Sequence, residues 1–210
     1  MKKKLTKEIA FKELQNMFQG KPFVLFGTGM SCAVDVKFGM KALKEYLFKK
    51  LDEDKLSTTE KKEWQLVQTK IENGVDFETA MNSVEKEHLI NKVVELTGIF
   101  VASIDKKYSC TSVHGQFNWP AISLFKKLVA KLPASDKTLH VATPNYDMLA
   151  ETAFGKANIP FINGFHGGLI RHLDWIISQR STTYAEKVTQ KSTIKTITRK
   201  RKHIEFYKVH

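Results

Sequence analysis

The spacing of apolar side chains changes between two periods along the chain. A period near 3.6 residues predicts amphipathic helices at residues 5–19, 39–51, 58–108 with breaks near 73 and 85, 120–132 and 148–154. Short runs of β-branched and aromatic residues predict strands at residues 22–27, 138–142, 159–162, 182–188, 193–198 and 204–209. The order of these elements is therefore strand, helices, strand, helix, strand, followed by a β-rich C-terminal part.

This order is typical of α/β proteins, in which helices connect parallel strands and cover the sheet. We predict a Rossmann-like, mostly parallel sheet with flanking helices. Residues 52–118 contain only helical patterns, so we expect a helical insertion between two strands, and residues 180–210 form the β-rich part. With 210 residues, 42% of them hydrophobic, the chain is long enough to bury a core, and we expect one domain over residues 1–210.

The chain contains no apolar run of about 18 residues and no apolar segment after its basic start, so we expect neither a membrane span nor a secretory signal. These features favour a cytoplasmic protein. Cys32 and Cys110 have no Cys-x-x-Cys spacing, and five histidines show no metal-ligand spacing, so we expect no metal; these are His88, His114, His140, His172 and His203.

A formal charge of +12 raises the possibility of nucleic-acid binding. Residues 1–21 hold six lysines against two glutamates, and residues 187–210 hold eight lysines and arginines against Glu205. Because the excess lies at the two ends of the chain, solvated surfaces explain it more simply than a nucleic-acid groove does. Nucleic acid stays a possible partner through these basic ends.

Two junctions between a strand and a loop are the strongest functional signal. Gly27, Thr28, Gly29, Met30 and Ser31 follow the first strand, and the run Thr143-Pro144-Asn145-Tyr146-Asp147 ends a later one. Parallel sheets bind ligands at the carboxyl ends of their strands, where glycines let the backbone approach a phosphate. The full Gly-x-Gly-x-x-Gly fingerprint is absent, so the glycines alone are weak evidence.

The polar residues of the second junction also have structural explanations. Asn145 follows a proline, where an asparagine amide often bonds its own turn. Asp147 precedes a predicted helix and could cap its first turn. Both explanations compete with direct roles in a ligand site.

Four motifs in the same order resemble the sirtuin (silent-information-regulator) superfamily, more closely its bacterial sirtuin-like branch than the protein deacetylases. The Gly27–Ser31 loop resembles the family's Gly-Ala-Gly-x-Ser loop, and Thr143–Asp147 with Glu151 is similar to its Thr-x-Asn-Tyr-Asp segment. The segments 163–167 and 206–210 resemble its Thr-Gly-Phe-x-Gly and Lys-Leu-His-Gly-Ser segments. The Pro-x-Phe-Arg segment and the four zinc cysteines of deacetylases are missing, which argues against acetyl-lysine chemistry.

The resemblance implies cleavage of the bond between nicotinamide and ribose in NAD, the activity of sirtuin-like domains in bacterial anti-phage systems. Residues Gly27 to Ser31 and Thr143 would bind NAD as the substrate. Asn145 would orient the ribose or a water, Asp147 would position the ribose or the turn, and a histidine would act as base. His210 matches the family's strand pattern, with His166 as the alternative.

The resemblance also implies that family members continue beyond the position of His210 with Gly-Ser and further strands. The chain could therefore be a truncated domain that binds nucleotide without turnover. An active hydrolase and an inactive binding module are thus both expected alternatives. A protein partner or a homo-oligomer is a further possibility.

Overall fold

The computed structural model describes residues 5–20, 22–113, 118–167, 170–190 and 193–209. Its helices, in chain order, are α1 (Lys7–Gln19), α2 (Gly29–Cys32), α3 (Met40–Glu53), α4 (Thr58–Glu72), α5 (Phe77–Met81), α6 (Glu87–Val113), α7 (Ile122–Lys131), α8 (Leu149–Lys156) and α9 (Trp175–Arg180). Its strands are β1 (Val24–Leu25), β2 (Thr138–Thr143), β3 (Phe161–Ile162), β4 (Phe165–Gly167), β5 (Arg171–Leu173), β6 (Thr183–Gln190), β7 (Thr193–Lys200) and β8 (His203–Lys208). The predicted helices and strands form in the predicted order, and α2, β4, β5 and α9 are further elements that the sequence pattern does not predict.

The main sheet contains four parallel strands in the order β1-β2-β8-β3. Helices flank this sheet, and the fold is α/β and Rossmann-like, as the sequence predicts. The strand nearest the end of the chain, β8, lies in the middle, paired along its whole length with β2 and at Ile204 and Glu205 with β3. The sequence predicts this strand but not its central place.

One face of the central strands is apolar and buried. Val141 and Phe206 lie opposite each other on β2 and β8 and are fully buried. Phe154 of α8 packs edge-on against Phe206, with ring centroids 5.7 Å apart, and Phe125 of α7 packs against Phe154 at 5.1 Å. Each fully buried phenylalanine contributes about 1.5–3 kcal/mol, so this aromatic cluster is the principal core of the sheet.

The described chain divides into two compact units, one comprising residues 1–30 and 109–210 and the other comprising Ser31–Tyr108. The second unit is helical and takes in α3 as well as α4, α5 and most of α6. Its core is built from buried apolar residues of these helices: Leu43, Leu47, Leu51, Leu56, Trp64, Val67, Ala80, Val84, Leu89, Val93 and Leu96. Ser57 caps α4, and the reciprocal bond from its backbone N–H to the Glu60 carboxylate completes a capping box.

Three local features differ from the sequence-based expectation. Strand β1 is two residues long rather than six. Helix α8 passes Gly155 and ends at Lys156, because Asn158 adopts the left-handed conformation (φ 54°) that ends the helix instead. The amphipathic helix α1 forms, but none of its residues is buried.

Two antiparallel hairpins complete the first unit, β4 with β5 and β6 with β7. Among the described residues, no helix combines the length and the apolarity needed to cross a membrane.

Candidate functional site

The two predicted junctions leave the sheet side by side. Val24 and Leu25 of β1 pair in parallel with Val141 and Ala142 of β2, and the Phe26 N–H donates to the Ala142 carbonyl at 3.1 Å. Adjacent strands lie about 4.8 Å apart. The turn after β1 and the turn after β2 are therefore neighbours at the carboxyl edge of the sheet, as the sequence predicts.

The glycines of the first turn are exposed, and local packing does not require them. A side chain added at Gly27 or Gly29 would meet no described atom within 4 Å beyond its chain neighbours, and neither glycine has a positive φ. The turn is closed by a bond from the Met30 N–H to the Gly27 carbonyl, and Trp119 donates its Nε1–H to the Met30 carbonyl. The backbone of this turn is thus open to close approach by a ligand.

The two other polar residues of this turn differ in exposure. Thr28 is half-buried, whereas Ser31 is 1% exposed and is the first residue of the helical unit. Contact of either side chain with a nucleotide stays a prediction.

The second turn buries an amide and a carboxylate. Asn145 is 5% exposed and Asp147 is 8% exposed, while Tyr146 between them points to solvent. The Asn145 N–H donates to the Thr143 hydroxyl, and the Leu149 N–H donates to Asp147 Oδ1. The carboxylate of Asp147 therefore ties the turn to the first residue of α8, whose N-cap position is occupied by Met148.

Lys208, at the end of β8, holds the second turn in place. Its Nζ donates to the carbonyls of Tyr146 and Asp147 and lies 3.2 Å from Glu151 Oε1 on α8. Lys208 is one-fifth exposed and the Glu151 side chain is almost fully buried. Lys208 thus links strand β8 to the turn after β2 and to the first turn of α8.

The surroundings of Glu151 raise its pKa. Burial disfavours the charged carboxylate, and this effect outweighs the attraction of Lys208 in the opposite direction. Removing Lys208 would leave a buried carboxylate without its cation, and we expect this to destabilise the folded protein.

The opposite face of β2 and β8 carries a second polar group of residues. The Tyr207 hydroxyl donates to Glu205 Oε2 at 2.7 Å, and His140 Nδ1 lies 3.1 Å from the same hydroxyl oxygen. The ring of Trp175 stacks on Tyr207 with centroids 5.2 Å apart. Burial and the neighbouring Glu205 carboxylate raise the pKa of Tyr207 to about 12, so the phenol stays protonated at neutral pH.

The structure describes only one of the two candidate histidines, His166. His166 lies on β4 opposite His172, with ring centroids 5.9 Å apart. His210 lies outside the described residues. Which of the two serves as base stays a prediction.

The glycines around His166 have structural explanations. Gly164 (φ 81°) and Gly167 (φ 104°) adopt conformations that favour glycine, and a Cβ at Gly164 would lie 2.6 Å from the Trp175 ring. This part of the motif therefore shapes the β4–β5 hairpin independently of any ligand.

Sequence reasoning did not assign roles to Lys208 and Glu151. The available signal was a pair of charged residues in segments predicted to be buried, one ending a strand and one within the apolar helical run 148–154. Buried charges are rare unless they are paired, so this combination indicates an ion pair, although not its partners.

Within the described ranges, no cluster of three or more His, Cys, Asp or Glu side chains could hold a metal ion. A groove between α7 and α8 lies elsewhere, is lined by residues such as Trp119, Lys126 and Lys156, and has a volume near 130 Å³. That volume is below the range usual for small-molecule sites.

Neither a family model nor a curated protein matches the chain.

Proposed function

We propose that the chain binds NAD at the carboxyl edge of its parallel sheet and hydrolyses the bond between nicotinamide and ribose. The observation that carries the proposal is the buried Asn145 and Asp147 pair beside the open glycine turn at Gly27–Met30. Glycines that neither packing nor a positive φ requires leave room for a phosphate against the backbone. The resemblance to sirtuin-like domains supplies the identity of the ligand.

In the proposed reaction, the carbon–nitrogen bond breaks and its electron pair leaves with nicotinamide, which becomes neutral. Water attacks the ribose carbon and forms the new carbon–oxygen bond, giving ADP-ribose, and its proton passes to a base or to solvent. Asn145 would orient the ribose hydroxyls or the water, because its amide both donates and accepts. His210, or alternatively His166, would serve as the base.

Lys208 and Glu151 would act as positioning residues in this reaction. They hold the backbone carbonyls of Tyr146 and Asp147, the two residues that follow Asn145 in the turn. The same proposal assigns the activity to bacterial anti-phage defence, where the branch that the motifs resemble depletes NAD.

The test is release of nicotinamide from NAD by the purified chain, measured by chromatography. We expect Asn145→Ala to lower the rate by about 100-fold or more, the usual effect of removing one preorganised polar group from an active site. Asn91→Ala, which removes an exposed amide on α6, is the matched control and should retain the rate. Equal rates for Asn145→Ala and the parent chain would refute the assignment.

A second candidate function is binding of NAD or ADP-ribose without turnover. It is favoured by the engagement of Asp147 Oδ1 with the Leu149 backbone, which gives this carboxylate a structural role. Calorimetry would distinguish the two functions, because a binding module gives a stable, uncleaved complex that Asn145→Ala weakens.

A further inference from the structure

The hairpin of β6 and β7, here called the basic ribbon, exposes most of the side chains that the structure describes in it. Each strand is eight residues long, and the pair forms a sheet of its own. None of the side chains that the structure describes in these strands is buried. An isolated two-stranded hairpin is marginally stable in water, and antiparallel sheets usually cover one face. Neither strand of the ribbon therefore contributes a described side chain to the core.

The charge of this segment has one sign. Residues 183–202 contain seven lysines and arginines and one acidic residue, Glu186. Arg199 Nε lies 2.5 Å from Glu186 Oε2, so the only carboxylate is already paired. Lys187 lies opposite Thr196 and Lys195 lies opposite Val188, so neither lysine faces a charged cross-strand partner.

These two lysines project from opposite faces of the ribbon. Side chains alternate between faces along a strand, and the pair Lys187–Thr196 is one register position from the pair Val188–Lys195. Both faces of the ribbon consequently carry positive charge, together with threonine hydroxyls that can donate to phosphate. A partner with negative charge on two sides of a groove fits this distribution.

Basic residues at the base of the ribbon contact β2, α7 and the ribbon itself. Lys200 Nζ donates to the Thr138 hydroxyl at 3.3 Å, and Lys202 Nζ donates to the Ala130 carbonyl at 2.7 Å. The Arg201 guanidinium lies over the Tyr184 ring, 5.5 Å from its centroid. The ribbon is thus held at its base while Lys187 and Lys195 lie further along it.

We propose that the basic ribbon inserts into the major groove of duplex DNA and contacts both phosphate backbones through Lys187 and Lys195. Eight residues at about 3.4 Å each give a length near 27 Å, and the B-form major groove, about 12 Å wide, admits a two-stranded ribbon. The deep and narrow major groove of A-form RNA does not. The contact is to phosphate and does not depend on base sequence.

The test measures fluorescence anisotropy of a labelled 24-base-pair DNA duplex of arbitrary sequence, titrated with the full chain between 50 and 300 mM NaCl. The variant Lys187→Gln/Lys195→Gln should bind roughly 100-fold more weakly at the lowest salt concentration, and its log–log salt slope should fall by about 2. Lys187→Arg/Lys195→Arg should bind as the parent chain does.

Lys61→Gln/Lys62→Gln provides the matched control, because it removes the same charge from exposed positions on α4. Equal weakening by the control and the ribbon variant would show an effect of net charge and overturn the proposal. Equal affinity for a 24-base-pair RNA duplex would overturn the major-groove assignment. Absence of DNA binding, with a dimer that the ribbon variant abolishes in sedimentation, would identify a second copy of the chain as the partner instead.

Discussion

At the scale of single residues, Lys208 shows how a strand end can fix the geometry of a neighbouring turn. Its contacts include the Tyr146 and Asp147 carbonyls and the Glu151 carboxylate. The carbonyl partners are 62 and 61 residues away along the chain, so no local pattern indicates them. Asn145 and Asp147 could be predicted because they follow a strand directly, whereas the contact of Lys208 with this turn depends on the strand order.

We expect Lys208→Met to lower the free energy of unfolding by about 3 kcal/mol, because it leaves the buried Glu151 carboxylate without its cation. Urea denaturation followed by circular dichroism measures the loss. Adding Glu151→Gln to this variant should recover part of it, since the second change removes the unpaired charge.

Lys49→Met, at an exposed position on α3, is the control and should stay within about 0.5 kcal/mol of the parent chain. A similarly small change for Lys208→Met would show that the ion pair does not stabilise the fold.

At the scale of secondary-structure elements, the sequence predicts most clearly where local chemistry sets the boundary. Helix α4 starts as predicted because Ser57 and Glu60 satisfy the free N–H groups of its first turn. Helix α8 ends later than predicted because Asn158, and not Gly155, takes the left-handed conformation. The place of β8 could not be predicted, since pairing of distant strands leaves no local periodicity.

The capping box of α4 gives a prediction at this scale. Ser57→Ala should lower the free energy of unfolding by about 1 kcal/mol, the usual effect of losing an N-cap side chain. Chemical denaturation measures the change. Ser103→Ala, within the exposed surface of α6, is the control and should have a smaller effect; an equal loss in both would argue against a capping contribution.

The same capping box should weaken in acid. Hydrogen bonds from Ser57, with a further contribution from His88, lower the pKa of Glu60 to about 2 from its ordinary 4.5. Because the pKa is lower in the folded state, this contribution is present above pH 4.5 and is lost as the pH falls towards 2.

At the scale of the whole molecule, the polar face of β2 and β8 links stability to pH. His203 is fully buried between the Arg201 carbonyl, which accepts a hydrogen bond from Nδ1, and Glu205, 3.6 Å from Nε2. Burial lowers its pKa from 6.5, with Lys200 acting in the same direction and the Arg201 and Glu205 contacts opposing it. The folded protein therefore holds this imidazole neutral at a pH where the unfolded chain would protonate it.

The free energy of unfolding should consequently fall as the pH decreases below about 6.5, by at most about 1.4 kcal/mol per pH unit. Urea denaturation between pH 7.5 and 5 measures this slope. His203→Gln should flatten it in that range, whatever its effect on absolute stability. His172→Gln, on the exposed strand β5, is the control and should retain the slope of the parent chain; a slope unchanged in His203→Gln would exclude this histidine as the cause.

Composition predicted a chain with a core and an excess of positive charge at its ends. It could not predict how the chain divides between a sheet-containing unit and a helical unit, because that division depends on contacts between residues 1–30 and residues after 109. Nor could it show that Lys187, Lys195, Arg199 and Lys200 lie on a hairpin in which no described side chain is buried.

The central position of β8 has a consequence for the order in which the chain folds during its synthesis. Strands β2 and β3 leave the ribosome before the strand that joins them, and until residues 203–208 emerge, each has a hydrogen-bonding edge without its partner. Open strand edges promote aggregation. The helical unit comprises residues 31–108, which emerge much earlier. It can therefore fold before β8 is available to complete the sheet.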